Sequence, residues 1–219
     1  MSDDAEEVID GDMTDVDSQC VAPVIERIRE LRLTLDGALV VAIDGYAGSG
    51  KSTFADALAA QCHGVVVPVD DFFAGGSAAE WDSRTPAENA ALGIDWTRLR
   101  SEALAPLRAG QHVEWHPFDW GTREGLARHV EIRHPASVIV LEGAYSTCSE
   151  LVDLVDLSVL LDVRPEMRFA RLIKRDGGIG SWYPRWNAAE QFYFSFLRPP
   201  AAFDVVLVNP GPAVRGCND

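Results

Sequence analysis

The amino-acid sequence predicts an α/β fold built on a doubly wound, mainly parallel sheet with helices on both faces. Three observations carry this prediction. Short apolar runs rich in valine alternate with segments long enough for crossover helices. One of these runs leads directly into a glycine-rich sequence that ends in Gly-Lys-Ser. Two later runs end in acidic residues, at the strand ends where ligands of such sheets bind.

The predicted elements follow in chain order from the spacing of apolar residues. Residues 21–33 place apolar side chains at helical spacing, which predicts an amphipathic helix. Further helices are predicted over residues 53–60 and over residues 96–109, the latter ending at Gly110. The five runs predicted as strands are Ala38–Ile43, Val65–Val69, Ser137–Leu141, Leu157–Leu161 and Asp204–Val208.

Length and charge indicate one domain with a charged tail. The chain has 219 residues, 47% of them hydrophobic, which suffices for a single α/β core. Residues 1–17 contain eight acids and no base, within a formal net charge of -15. We therefore expect an acidic, disordered tail over residues 1–20 and a single folded domain over residues 21–219.

The composition also argues against several classes of partner. An acidic body repels a phosphate backbone, so no polynucleotide partner is expected. No apolar run approaches the ~20 residues that span a bilayer, and the first residues lack the pattern of a signal peptide. The four cysteines lack CxxC spacing, which argues against a zinc site and against disulfides. We expect a cytoplasmic protein without a membrane partner, and a homo-oligomer stays open.

The glycine-rich sequence GYAGSGKS matches the pattern GxxxxGKS between a predicted strand and a predicted helix. Its glycines let successive backbone N–H groups turn towards phosphate oxygens, beside a helix N-terminus. Lys51 is expected to reach the β- and γ-phosphates, and Ser52 to offer its hydroxyl to Mg²⁺. A P-loop NTPase fold with ATP and Mg²⁺ as cofactors is thus predicted, and the expected nucleotide-binding residues are Gly45, Ala47, Gly48, Ser49, Gly50, Lys51, Ser52 and Thr53.

Carboxylates follow two of the predicted strands. Asp70 and Asp71 end one of them, and a general base needs an ionised carboxylate within reach of the attacking hydroxyl. Asp70 is the preferred base and Asp71 its rival, although either acid is also suited to capping a turn. Glu142 ends the other strand, where a Walker B carboxylate positions Mg²⁺ or its water together with Ser52.

Taken together, GYAGSGKS, VDDFF and VLEGAYS resemble the uridine kinase-like (phosphoribulokinase/uridine kinase) family of P-loop kinases, over roughly residues 38–208. The family's DxFY motif is similar to residues 70–73, with Phe73 in place of Tyr, and implies Asp70 as the base. Its EG pair corresponds to Glu142 and the glycine that follows. The resemblance implies an Mg²⁺ shell shared by Ser52, Asp70 and Glu142. It also implies transfer of the γ-phosphoryl group of ATP to a small-molecule hydroxyl, in the first instance that of a nucleoside.

The resemblance also implies an acceptor pocket and a helical lid. The family's PxYD segment, which lines the acceptor pocket, is similar to residues 117–120. Residues 164–176 look like the family's lid helix, and the Gly-rich stretch beyond them is predicted to be its hinge. The lid arginines expected to act in catalysis with Lys51 and Asp70 are Arg171 and Arg175. The expected substrate-binding residues are Asp71, Phe73, Asp95, Phe118, Asp119, Trp120, Arg168 and Arg185.

Several of these residues have an alternative, structural role that their position in the sequence also fits. The spacing of Arg168, Arg171 and Arg175 puts three guanidiniums on one helical face, which either closes over phosphate or is a solvated basic face. Asp95 precedes a predicted helix and is equally suited to be its N-cap. Trp120 is the tryptophan best placed to stack on a ring-shaped acceptor, although aromatic residues more often belong to the core.

Other functions also stay open at this point. Because the stretch after the lid helix departs from the nucleoside kinase pattern, the acceptor is alternatively pantothenate, a sugar or a natural product. A nucleotide-binding regulator or slow GTPase would be expected to carry a guanine-reading NKxD motif, which the sequence lacks. A catalytically inactive ATP-binding scaffold would not need Lys51, Ser52, Asp70 and Glu142 together.

Overall fold

A computed structural model of the chain describes residues 18–209. The prediction of an acidic, disordered tail therefore falls almost wholly on residues outside the described part. The described residues form strands β1 (Leu39–Asp44), β2 (Val65–Pro68), β3 (Val113–Trp115), β4 (Glu131–Arg133), β5 (Val138–Glu142), β6 (Leu157–Val163) and β7 (Val205–Asn209). Five of them make one sheet in the order β2-β5-β1-β6-β7, with every neighbouring pair parallel. The predicted α/β fold with a parallel sheet is confirmed.

The helices occupy the segments between these strands. They are α1 (Ser18–Leu31), α2 (Lys51–Cys62), α3 (Ala78–Ser83), α4 (Pro86–Leu92), α5 (Trp96–Arg98), α6 (Ala105–Arg108), α7 (Pro165–Asp176) and α8 (Tyr183–Phe192). A π-helical segment, Leu99–Leu104, joins α5 to α6, and another, Tyr193–Leu197, extends α8. Across residues 18–209, no helix is both long and apolar enough to cross a bilayer.

Two apolar cores lie on opposite faces of the sheet, and the central strand β1 contributes to both. Leu39, Val41 and Ile43 belong to the core that contains α1 and α2. Val40 and Ala42 belong to the other core, which also contains buried residues of the helical segment 99–107 and of α8. Every residue of β1 is buried, as expected for a central strand covered on both faces.

Most predicted elements are present with boundaries shifted by one to three residues. The strand predicted to reach Val69 ends at Pro68, because Val69–Phe72 turn into a short 3₁₀ helix. The region between Phe73 and Val138 holds four elements that the apolar pattern did not indicate. These elements are α3, α4 and the antiparallel pair β3 and β4.

The register of the parallel strands brings several strand ends to one edge of the sheet. Glu142 is paired with Ile43 of β1 on one side and with Pro68 of β2 on the other. The residue after Glu142 is Gly143, whose φ is 149°. A Cβ added at Gly143 would lie 2.5 Å from the Cβ of Val69. Glycine therefore permits the close approach that brings the end of β5 beside the segment carrying Asp70.

Candidate active site

The P-loop connects β1 to α2 and surrounds the ammonium group of Lys51. Gly48 and Gly50 have φ values of 78° and 90°, which suit glycine and shape the turn into α2. The Lys51 Nζ donates hydrogen bonds to the carbonyl oxygens of Gly45, at 2.8 Å, and Tyr46, at 3.1 Å. The loop therefore carries a positive charge beside the N-terminus of α2, an arrangement that suits an anionic phosphate.

Helix α7 packs directly against the P-loop. A Cβ added at Gly48 would lie 2.6 Å from the carbonyl oxygen of Arg168, so only glycine allows this approach. Arg171 lies one turn further along α7, and its Nη1 donates to the carbonyl oxygen of Ser49 at 3.0 Å. The lid helix is thus in contact with the loop that is expected to hold phosphate.

Two carboxylates lie close to the P-loop hydroxyl. The Ser52 Oγ donates to the Glu142 Oε2 at 3.4 Å. Burial raises the pKa of Glu142 to about 7, the negative charge of Asp70 adds to the rise, and Lys51 opposes it. Partial loss of hydration also raises the pKa of Asp70, although part of this residue is exposed to solvent. The positive charges of Lys51 and Arg175 lower that pKa. Asp70, Glu142 and Lys51 are therefore near enough to influence one another's charge.

The oxygen atoms at this edge of the sheet fit a hard divalent cation. Ser52, Glu142 and Asp70 offer one hydroxyl and two carboxylates, and Mg²⁺ is typically held by one or two carboxylates together with phosphate oxygens and water. Within residues 18–209, no three Asp, Glu, His or Cys side chains form an all-protein metal cage. A cation here would favour the ionised form of both carboxyl groups.

The arginines of α7 differ in their surroundings. Arg175 donates to Asp176 through Nε at 2.7 Å and Nη2 at 2.9 Å, and its charge is felt at Asp70. Arg168 is buried, with its Cζ 4.2 Å from the centre of the Tyr46 ring. The structure thus places Arg168 and Arg171 against the P-loop and the charge of Arg175 near Asp70.

Arg185, predicted to bind substrate, is the first basic residue of α8. Its Nη1 donates to the Asp82 Oδ1 of α3 at 2.7 Å. The side chain is therefore engaged in an ion pair that links α8 to α3, and the structure does not bring it to the carboxylates at the sheet edge.

An aromatic cluster includes Phe73, Phe118 and Trp120 and lies close to Asp71 in the structure. The ring centre of Phe73 is 4.9 Å from that of Phe118 and 5.0 Å from that of Trp120. Asp71 accepts a hydrogen bond from the Trp115 Nε1 at 2.9 Å. A cavity of about 310 Å³ is lined by Asp71, Phe118, Trp120 and neighbouring residues, including Glu131. Trp120 is 51% exposed, so one face of its ring is available for stacking on a ligand.

Asp95 and Asp119 both have structural partners. The Asp95 Oδ1 accepts from the backbone N–H of Arg98 at 3.0 Å, so Asp95 caps α5, which is the alternative considered from its sequence position. The Asp119 Oδ1 accepts from the N–H groups of Gly121, at 2.9 Å, and Thr122, at 3.1 Å. Asp119 therefore stabilises the turn that carries Trp120 into the cavity wall.

Two buried acids near the P-loop were not among the predicted site residues. Asp44 ends β1 and accepts from the Gly45 N–H at 2.8 Å and the Thr147 Oγ1 at 2.9 Å. Its position after a buried strand was a signal that the sequence offered. Glu190 of α8 accepts from the Ala47 N–H at 2.7 Å. No local pattern pointed to Glu190, because it lies 143 residues from its partner in the chain.

Comparison with known proteins places this site in a family. The sequence profile of the phosphoribulokinase/uridine kinase family matches residues 40–178. The uridine kinase of Limosilactobacillus reuteri (strain DSM 20016) is 28% identical over 186 residues, covering 79% of this chain and 84% of the relative. Uridine-cytidine kinase A of Dictyostelium discoideum is 31% identical over 147 residues, covering 65% of this chain and 29% of the relative.

Solved structures share the fold. A candidate fructose transport system kinase from Silicibacter sp. TM1040 superposes with a TM-score of 0.65 and 25% identity, covering 85% of this chain and 98% of that chain. A possible uridine kinase from Bacillus stearothermophilus superposes with a TM-score of 0.60 and 22% identity, covering 84% of this chain and 99% of that chain. The parallel sheet and its surrounding helices are therefore common to these proteins.

Proposed function

The chain belongs to the phosphoribulokinase/uridine kinase family and is an ATP-dependent kinase, and on that premise we propose that it phosphorylates a hydroxyl of a nucleoside. The observation that carries the proposal is the convergence of Asp70, Glu142 and Lys51 beside the Ser52 hydroxyl. An aromatic-lined cavity has Asp71, the residue that follows Asp70 in the chain, in its wall. A ring-shaped acceptor with a free hydroxyl suits both features.

The phosphate end of the reaction is assigned to the P-loop and the lid. The backbone N–H groups of residues 48–52 and the ammonium of Lys51 would bind the β- and γ-phosphates of ATP. Ser52, Glu142 and Asp70 would hold Mg²⁺, which supplies charge neutralisation across the phosphate oxygens when bound. Arg171 and Arg175 would stabilise the equatorial oxygens of the transferring group.

The acceptor end is assigned to the carboxylates after β2. Asp70 would accept the proton of the attacking hydroxyl as that oxygen approaches the γ-phosphorus in line with the leaving oxygen. Asp71 is the weaker candidate, because its carboxylate already accepts a hydrogen bond from Trp115. Phe73 and Trp120 would orient the acceptor by ring contact, since aromatic faces pack well on bases and sugars.

An acceptor panel tests the proposed substrate class. The purified protein with ATP and Mg²⁺ is given uridine, cytidine, fructose or pantothenate, and ADP formation is followed. We expect kcat/KM for a nucleoside to exceed that for fructose and pantothenate by at least about 10²-fold, since a site that pairs substrate polar groups rejects unrelated acceptors. The matched control is 5′-deoxyuridine, which lacks the primary hydroxyl and is expected to give no ADP.

Other outcomes of the acceptor panel would change the assigned substrate class. Faster turnover of fructose would identify a sugar kinase, and would agree with the solved neighbour described as a fructose transport system kinase. Faster turnover of pantothenate would likewise overturn the nucleoside assignment. ATP binding without turnover of any acceptor would favour a nucleotide-binding regulator.

A further inference from the structure

Glu190 is a fully buried carboxylate that contacts the P-loop from the interior of the protein. Its relative exposure is 0%. Its Oε1 accepts from the Ala47 N–H at 2.7 Å and from the Trp186 Nε1 at 2.9 Å. Its Oε2 accepts no hydrogen bond from the described residues. Burying such a group costs free energy unless it is paired, so its presence at this position calls for a physical reason.

Glu190 lies near the positive charges of Lys51 and Arg168 and contacts the backbone of the P-loop. Burial raises the pKa of its carboxyl to about 7, whereas Lys51, the Ala47 and Trp186 hydrogen bonds, and Arg168 lower it in that order. The other titratable groups that face it are the phenols of Tyr46, Tyr145 and Tyr183. The carboxylate thus interacts with α2, α7 and the loop between β1 and α2 at the same time.

Ala47 is the third residue of the GYAGSGKS loop, and its N–H group immediately precedes the glycine-rich turn. In a P-loop the successive N–H groups bind phosphate only if the turn has the right shape before the ligand arrives. Helix α7 supports this turn at Gly48, where only glycine fits against the Arg168 carbonyl. Helix α8 supports it one residue earlier, through the hydrogen bond between Ala47 and Glu190.

We propose that Glu190 is a positioning residue, which holds the Ala47 amide from the protein interior and so keeps the P-loop in the shape that binds nucleotide phosphates. The two hydrogen-bond partners of Glu190, Ala47 and Trp186, do not line the cavity beside Asp71. Its contribution therefore falls on nucleotide affinity and leaves acceptor affinity and proton transfer unchanged.

Binding of Mg²⁺-ADP tests this role without an acceptor, so the result is independent of the nucleoside assignment. Glu190→Met keeps the side-chain volume and removes the acceptor atom. It is expected to raise the Kd for ADP by about 10-fold or more, the loss typical of a hydrogen bond to a charged group. In turnover assays, KM for ATP should rise in parallel, while kcat and KM for the acceptor stay within about threefold of wild type.

Two matched variants complete the experiment. Glu190→Gln retains an oxygen at Oε1 and is expected to restore the ADP affinity to within about threefold of wild type. Gln191→Ala alters the exposed neighbour on the same helix and should leave ADP binding unchanged. Glu190→Gln binding ADP as weakly as Glu190→Met, or a folded Glu190→Met protein with wild-type ADP affinity, would overturn the proposal.

A measurement on the unaltered protein covers the case in which Glu190→Met does not fold. Hydrogen exchange of the Ala47 amide, in the absence of nucleotide, reports directly on its bond to Glu190. Slow exchange, comparable with that of amides inside β1, supports the proposal. Exchange as fast as that of an exposed loop amide overturns it.

Discussion

Lys51→Met is expected to reduce kcat/KM for ATP by about 10³-fold, because it removes the one ammonium group that the P-loop places beside the phosphates. The Lys51 Nζ lies 2.8 Å from the Gly45 carbonyl oxygen and 3.1 Å from that of Tyr46. When ATP binds, charged phosphate oxygens would replace these neutral carbonyl oxygens as the acceptors of the Lys51 hydrogen bonds. These bonds would strengthen as negative charge builds up on the phosphate oxygens during transfer. The measurement is steady-state ADP formation with the acceptor found in the panel.

Controls separate this effect from a general loss of charge or of folding. Arg29→Met removes one positive charge from the exposed surface of α1 and is expected to leave kcat/KM within about twofold of wild type. Lys51→Arg keeps the charge but presents a planar fork, so it should restore activity only in part. A folded Lys51→Met enzyme with nearly full kcat/KM would contradict the role assigned to the P-loop.

Asp70→Asn is expected to lower kcat by about 10² to 10⁴-fold, the range for removal of a general base. Asparagine keeps the size of the side chain but cannot accept the proton of the attacking hydroxyl. Because Asp70 is also expected to share the Mg²⁺ shell, the apparent affinity for Mg²⁺ should fall as well. Both quantities are obtained by titrating Mg²⁺ at saturating ATP and acceptor.

Asp71→Asn is the matched control for this prediction, because Asp71 is the adjacent acid and the rival candidate. Its carboxylate accepts the Trp115 indole N–H, and an asparagine oxygen can accept the same bond. We expect kcat of Asp71→Asn to fall less than about 10-fold. The opposite ranking of the two variants would assign the base to Asp71, and near-full rates for both would indicate that neither carboxylate takes the proton.

The sequence was sufficient for the sheet and for the carboxylates at its edge. Valine-rich runs buried on both faces are recognisable without tertiary information, and parallel strands necessarily align their carboxyl ends. Each carboxylate was predicted at this edge from its position after a strand, whereas the resemblance to the uridine kinase-like family implied that Glu142 and Asp70 share Mg²⁺. The pairing of Glu142 with Ile43 and Pro68 shows how the register brings the end of β5 beside the end of β2.

Periodicity was less informative where packing decides the surroundings of a residue. Arg168, Arg171 and Arg175 lie on one helical face as predicted, yet Arg168 is buried against Tyr46 and Arg175 is exposed. The reason is that residues 168–172 of α7 contact the P-loop at Gly48 and Ser49, whereas Arg175 lies beyond these contacts, near the end of the helix. Helical spacing defines the face but not the length over which that face is covered.

The elements missed between Phe73 and Val138 divide into two kinds. Helices α3 and α4 begin with capping boxes, Ser77 with Glu80 and Thr85 with Glu88, so their starts were encoded locally. Strands β3 and β4 have three residues each, too few for an alternating pattern to be distinctive. Glu190 depends on a contact between distant segments, which no local signal encodes.

The proposed phosphoryl transfer depends most on a divalent cation shared by the P-loop and the two strand-end carboxylates. A crystal structure with Mg²⁺ and a non-hydrolysable ATP analogue measures this directly. We predict a cation at about 2.0 to 2.1 Å from the Ser52 Oγ and bound to Glu142 and Asp70 either directly or through one water. A triphosphate whose cation lies away from Ser52, with both carboxylates turned from it, would contradict the account.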